Sequence, residues 1–234
     1  MDSFYQSCTL CPHRCNVDRS QGRLGRCLAP AGPKIAKTML HRWEEPCLSG
    51  TRGSGAVFFS HCNLRCIFCQ NYRISQEGHG RELTVAELAG LFLALDNEGA
   101  HNINLVSPTP YVPSVAQALR MAKEKGLAIP VVYNTNAFDS PEALALLDGL
   151  VDIYLPDLKF YSPEISQALA GTRDYFARAT QAILTMFGQV GPTYINEEGI
   201  MTRGVLIRHL ILPGYPEESR AVLRWIRDFL PKGV

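Results

Sequence analysis

The chain has 234 residues, 46% hydrophobic and 19% charged, with 23 Lys and Arg against 22 Asp and Glu and a formal net charge of +1. That length and apolar content suit one folded domain with a substantial core and exclude a disordered chain. A near-neutral balance gives no long-range attraction to nucleic acid or to an anionic membrane surface, so neither is expected as a partner.

The opening MDSFYQSCTL has neither the basic nor the apolar region of a secretory signal. No stretch reaches the ~18 uninterrupted apolar residues of a membrane span; the run Val205–Leu212 is broken by Arg208 and His209. A cytoplasmic location is therefore expected. In a reducing compartment the eight cysteines read as metal ligands before disulfides, and seven of them fall into two clusters.

Residues 1–50 are rich in Cys, Gly, Pro and Arg and show little apolar periodicity. They read as an irregular, metal-stapled N-terminal segment ahead of an α/β domain over 51–234. Cys8, Cys11, Cys15 and Cys27 follow C-x2-C-x3-C-x11-C, a full thiolate set for structural zinc or for a closed iron–sulfur site. Cys47 stands alone and reads as a small buried side chain. His41, Glu44 and Glu45 suit either a solvated charged loop or the mouth of a substrate site. Gly50, Gly53 and Gly55 point to close backbone approach and not to a phosphate loop, because no Gly-Lys-Ser/Thr follows.

From residue 55 onward short β-rich runs alternate with amphipathic stretches. Strands are expected at Ala56–Ser60, Asn102–Ser107, Pro130–Thr135, Asp152–Leu158 and Val205–Leu212. Thr84-Val85-Ala86-Glu87 is a capping box that opens a helix to about Leu95. Ser114 opens a second helix ending at Gly126. Ser140-Pro141-Glu142 and Ser162-Pro163-Glu164 each set Pro at the first helical position behind a Ser cap. Further helices are expected over 173–187 and 217–229. Such alternation predicts a parallel sheet with right-handed crossovers, open or curled into a barrel.

Directly after the first of these strands stands His61-Cys62-Asn63-Leu64-Arg65-Cys66-Ile67-Phe68-Cys69, a C-x3-C-x2-C spacing. Ordinary [4Fe–4S] sites take four cysteines. Three leave one iron free to bind a substrate or cofactor. The loop lies where parallel α/β folds place reactive groups, at a carboxyl strand end. A single zinc would need a fourth ligand such as His61 or His79.

The three cysteines, with Phe68 before the last, resemble the signature of the radical S-adenosylmethionine (SAM) enzymes. Within that superfamily the chain resembles the pyruvate formate-lyase activating enzyme-like group. Thr135-Asn136-Ala137 followed by VDIYLPDLK (151–159) resembles that group's DTNG turn and DLK strand end, and RHLILPG (208–214) resembles its VPG strand end. The resemblance implies a partial parallel (β/α) barrel of five to six strands with a Cys-rich N-terminal extension. It implies a [4Fe–4S] cluster on Cys62, Cys66 and Cys69 and SAM chelated to the open iron. Reductive cleavage of SAM would then give methionine and a 5′-deoxyadenosyl radical that abstracts a hydrogen atom. A glycyl radical enzyme as partner, and a flavodoxin- or ferredoxin-type reductant, follow from the same resemblance.

By the same resemblance Phe68 packs near the adenine. The family's Gly-Gly-Glu for the SAM amino group is replaced here by Ser107-Pro108-Thr109, with Ser107 and Thr109 as the candidate ligands. Lys159 and Arg208 are the candidate cations for the SAM carboxylate; an Arg in an apolar strand needs a partner. His209 should point away from Arg208 by strand alternation and read as a hydrogen-bonded structural side chain. The family's monovalent cation site would map to Asn134, Thr135, the Leu155 backbone and Asp157, with Asn134 in place of a carboxylate. Asp157 pairing with Lys159 is the alternative. Asn136 would face the ribose. A sixth strand of the activating enzymes would begin about where residue 234 falls, so the barrel is expected to lack its last strand. The rivals are a different radical reaction on a small molecule or peptide, and a non-catalytic iron–sulfur or zinc module.

Overall fold

The computed structural model describes residues 3–231. Its strands are β1 (Lys34–His41), β2 (Ser54–Phe59), β3 (Arg81–Glu82), β4 (Ile103–Val106), β5 (Val131–Thr135), β6 (Ile153–Pro156), β7 (Tyr194–Ile195) and β8 (Met201–Val205). The helices are α1 (Ser3–Gln6), α2 (Pro46–Ser49), α3 (Tyr72–Ser75), α4 (Val85–Asn97), α5 (Val112–Glu124), α6 (Pro141–Ala145), α7 (Pro163–Ala170), α8 (Tyr175–Val190) and α9 (Pro216–Phe229). The sheet order is β3-β1-β2-β4-β5-β6-β8-β7. From β2 to β8 the neighbours pair in parallel. Antiparallel strands β3 and β1 extend one edge, and β7 the other. This is the mixed α/β, mostly parallel sheet expected of a partial barrel.

Alternation along the strands separates two cores. Val131, Tyr133 and Tyr154 face the outer helices and pack with Leu88 and Phe92 of α4, Val115 and Leu119 of α5 and Met186 of α8. Val132, Ile153 and Leu155 face the opposite way and pack with Leu48 of α2 and Met201. Leu48 thus seals the floor of the inner face. Register then stacks the inner residues in rows, because paired residues share a face. Ala56, Asn104, Val132 and Ile153 form the lower row; Phe58, Val106, Asn134 and Leu155 form the next. Above them Asp157 bridges Arg208 beyond the last regular pair. The inner face therefore turns from apolar to polar toward the carboxyl ends.

Two expectations need correcting. The irregular reading of residues 1–50 fails over Lys34–His41, which pairs along its length with β2, so the division at residue 50 does not fall at a break in the sheet. The polar residues Lys37 and Thr38 mask its strand pattern. The strand expected at Val205–Leu212 is regular only over Met201–Val205; beyond it Leu206 and Arg208 N–H still donate to the Tyr154 and Pro156 carbonyls, both at 2.9 Å. Thr202, Arg203 and Gly204 carry little apolar signal, which hides the start of this strand in the sequence.

The helix starts follow their local chemistry. Thr84 and Glu87 form the reciprocal capping box of α4, and Ser140 accepts from the Ala143 N–H at the start of α6. Helix α5 begins earlier than Ser114, because that hydroxyl is held by the Tyr5 hydroxyl at 2.8 Å. Ser162 bonds Glu218 of α9 instead of capping α7. At Gly55 an added Cβ would meet the Asn102 carbonyl oxygen at 2.8 Å, the close approach expected there.

Candidate active site

The loop after β2 is built to present sulfur. His61 takes φ 68°, which turns the chain out of the strand. Arg65 N–H donates to the Ala170 carbonyl at 3.2 Å and Ile67 N–H to Leu169 at 3.0 Å, so the end of α7 pins the loop. The Asn63 amide donates to the Phe138 carbonyl at 2.5 Å and accepts from Asn136 at 2.8 Å. Cys62, Cys66 and Cys69 line one wall of a cavity of about 710 Å³, a volume suited to a small-molecule cofactor.

The thiols sit in surroundings that demand a metal if they are to ionise. Burial pushes Cys62 up to about 12 and Cys66 up to about 11. The Asn136 amide donates to Cys62 Sγ at 3.2 Å, and Ser75 Oγ lies 3.2 Å from Cys69 Sγ. Such contacts stabilise thiolate once a cation offsets the desolvation. Among the described residues no three Cys, His, Asp or Glu side chains converge closely enough to hold a single ion. A loop of three spread thiols with amide donors suits a cluster that occupies more space than one atom.

Opposite the thiols the inner face carries a charged network. Arg208 donates from Nε to Asp157 at 3.0 Å, from Nη1 to Glu44 at 3.0 Å and from Nη2 to the Asn134 side-chain Oδ1 at 2.7 Å. Lys159 Nζ contacts the other Asp157 oxygen at 2.7 Å. Burial alone would raise the Asp157 carboxyl, but Lys159 and Arg208 outweigh it and hold the group below its usual range. The same carboxylate holds Lys159 above the usual range, against burial. Glu44 also accepts from the Asn104 amide at 2.8 Å. The Tyr175 hydroxyl lies between the carbonyls of Asn136 (2.9 Å) and Asp157 (2.6 Å) and ties the ends of β5 and β6 together.

Of the residues expected from sequence, Phe68, Ser107, Asn134, Thr135, Asn136, Asp157, Lys159 and Arg208 all border the cavity. Phe68 packs edge-on against Phe160. Ser107 takes φ 58° and Ala137 φ 62°, so with His61 three consecutive parallel strands end in left-handed residues other than glycine. Such strain collects at functional sites. Thr109 does not border the cavity: it is buried and donates to Asp139 at 2.8 Å. Asp157 forms the expected pair with Lys159 and a second one with Arg208. His209 is held by the Leu158 carbonyl and Ser219 as a structural side chain. Cys8, Cys11, Cys15 and Cys27 lie outside the cavity.

Sequence reasoning left Glu44 between two readings and missed Asp139. Glu44 was open to a solvated reading, yet its side chain is only 10% exposed and clamps Arg208. Asp139 gave no signal, since neither spacing nor a motif marks it. It is fully enclosed and accepts from Thr109, Tyr133 (2.8 Å) and Thr135 (2.6 Å), while burial raises its pKa.

A curled parallel sheet with thiols and ion pairs gathered at its carboxyl ends is the plan of a cofactor-dependent barrel enzyme. Residues 56–226 match the model of the Radical SAM superfamily, and the chain belongs to that superfamily. Membership implies a [4Fe–4S] cluster and SAM as cofactors, and oxidoreductase-type radical chemistry. Two relatives come from Methanocaldococcus jannaschii. The chain is 31% identical to Uncharacterized protein MJ0674 over 241 residues, 99% of this chain and 64% of that protein. It is 34% identical to Putative glycyl-radical enzyme activating enzyme MJ1227 over 112 residues, 46% of this chain and 44% of that protein. The chain thus spans less than two-thirds of either relative's length. The crystal structure of Streptococcus suis SuiB bound to precursor peptide SuiA is similar at TM-score 0.49 and 18% identity, over 71% of this chain and 34% of that one. No helix among the described residues is long and apolar enough to cross a membrane.

Proposed function

We propose that the cavity binds SAM against a cluster on Cys62, Cys66 and Cys69, and that the radical so formed activates a glycyl radical enzyme by hydrogen abstraction from its backbone. The cluster and SAM supply one-electron cleavage to methionine and a 5′-deoxyadenosyl radical. The chain's own residues bind, orient and shield. Asn136 donates to a cluster thiolate and, with Asn134 and Ser107, offers polar groups to the amino-acid and ribose portions of the cofactor. Arg208 and Lys159 offer cations to its carboxylate, and Phe68 an aromatic face. Glu44 and Asp157 keep those cations in place. A flavodoxin- or ferredoxin-type protein is the proposed electron donor.

The observation that carries this reading is the three-thiol wall facing a guanidinium across one cavity. The partial match to a glycyl-radical enzyme activating enzyme supports the choice of partner. The test is anaerobic turnover with dithionite and SAM, followed by assay of 5′-deoxyadenosine, with a glycyl radical signal sought on an added glycyl radical enzyme. Wild type should release 5′-deoxyadenosine and Cys66→Ala should release none. Equal release by both would refute the site; release without a glycyl radical would refute the partner.

A further inference from the structure

Four cysteines remain that this chemistry does not use. Cys8 is buried and Cys11, Cys15 and Cys27 are half-buried, all as free thiols. Cys8 N–H donates to the Val17 carbonyl at 3.1 Å and Asn16 N–H to the Cys8 carbonyl at 3.0 Å, so the chain folds back and sets Cys8 near Cys15. Arg26 N–H donates to Cys15 Sγ at 3.4 Å, which brings in the Cys27 loop. A Cβ on Gly25 would stand 3.0 Å from the same sulfur. Arg14 N–H donates to the Cys11 carbonyl at 3.0 Å, a tight turn that brings Cys11 toward Cys15, so the backbone gathers all four cysteines.

Three features around that space lack an explanation in the protein alone. Arg19 is 2% exposed. Its guanidinium donates to the carbonyls of Ala29 at 3.0 Å, Pro110 at 2.7 Å and Pro30, lies over the Tyr5 ring at 4.8 Å, and forms no ion pair among the described residues. Its Nη1 lies 3.8 Å from Cys8 Sγ. A buried unpaired cation is costly and calls for a counter-charge. The Tyr111 hydroxyl is buried with no hydrogen-bond partner. Arg19 stacks over that ring at 5.7 Å. Finally, Arg14 (φ 41°), Asn16 (φ 52°) and Leu28 (φ 58°) hold left-handed conformations on both sides of Cys15 and directly after Cys27. Such strain persists only where something else fixes the loop.

We propose that Cys8, Cys11, Cys15 and Cys27 bind a second, fully thiolate-capped [4Fe–4S] cluster. Four thiolates outweigh the positive core, so the complex is anionic and supplies the counter-charge to Arg19 and an acceptor for Tyr111. Zinc requires all four sulfurs about 2.3 Å from one atom. No three of these side chains, and not Cys62, Cys66 and Cys69 either, converge closely enough to hold a single ion. The second site abuts the first loop: His13, between Cys11 and Cys15, bonds the Asn63 carbonyl at 2.9 Å, next to Cys62. With no open iron, it has no corner for SAM.

The test is metal and sulfide analysis with Mössbauer spectroscopy on the full chain, purified anaerobically from cells supplied with iron and zinc and then reconstituted. Wild type should carry about eight irons, and both C62A/C66A/C69A and C11A/C27A about four, with no zinc. One zinc per chain, or iron in C11A/C27A equal to wild type, overturns the proposal. Should C11A/C27A fail to fold, the wild-type spectrum decides: two four-iron components support the second cluster, and one component refutes it. Iron lost from C11A/C27A but untouched in C62A/C66A/C69A would uphold this cluster while removing the catalytic one.

Discussion

Replacing Arg208 with Met keeps the apolar stem and deletes the guanidinium, and with it three hydrogen bonds to Asp157, Glu44 and Asn134. Asp157 keeps Lys159. Glu44 keeps amide donors from Asn104 and Asn134, but loses its cation while its side chain is only 10% exposed. Removing one partner from a fully buried pair costs about 3–5 kcal/mol. Arg208 is 28% exposed and Asp157 21%, so water offsets part of the loss. We expect a cost of about 2–3 kcal/mol, or a drop in Tm of about 4–12 °C for a chain of this size. Glu44→Gln should be the matching repair, because it removes the stranded charge and keeps an acceptor. The assay is urea unfolding followed by circular dichroism at neutral pH, on wild type, R208M, E44Q and E44Q/R208M. The double variant should regain about half of what R208M loses. A loss under about 0.5 kcal/mol for R208M, or a double variant no more stable than R208M, would show that the network is solvated and does not hold the strand ends together.

Asp139→Ala should cost about 2–4 kcal/mol in the same assay, since it strands three buried hydroxyl donors, whereas Asp139→Asn should lose clearly less because its amide oxygen still accepts; equal losses would contradict the network. Acid should weaken the fold through Asp157. Its folded pKa lies below the usual 3.8, so its contribution is complete above that value and disappears as pH falls through the folded pKa. Asp139 acts in the opposite sense: burial raises its folded pKa above 3.8, so the advantage of its protonated form fades as pH rises through that value. Between about pH 5 and about pH 2, wild type should therefore lose more stability than D157N, and parallel pH profiles would refute the pairing.

Local patterns were sufficient for much of this molecule. The capping box at Thr84, the Ser-Pro start at Ser140 and the runs that became β2, β4, β5 and β6 are fixed by neighbours within a few residues, where periodicity and hydrogen-bond geometry act directly. The three-cysteine loop was legible for the same reason: its chemistry resides in one short segment. Tertiary packing decided what short segments cannot encode. Lys34–His41 is a strand because β2 supplies its hydrogen bonds, not because its own sequence alternates. Val205–Leu212 carries the stronger apolar signal, yet the regular strand is Met201–Val205, because β7 pairs with its first half and β6 with Gly204 and Val205. Glu44 and Arg208 lie 164 positions apart and meet because the β1–α2 turn folds against the inner face of the sheet. Asp139 became part of the site's support only when three hydroxyls from β5 and the turn after β4 closed around it. Sequence alone thus determined the three-cysteine loop, and long-range register determined which charges share its cavity.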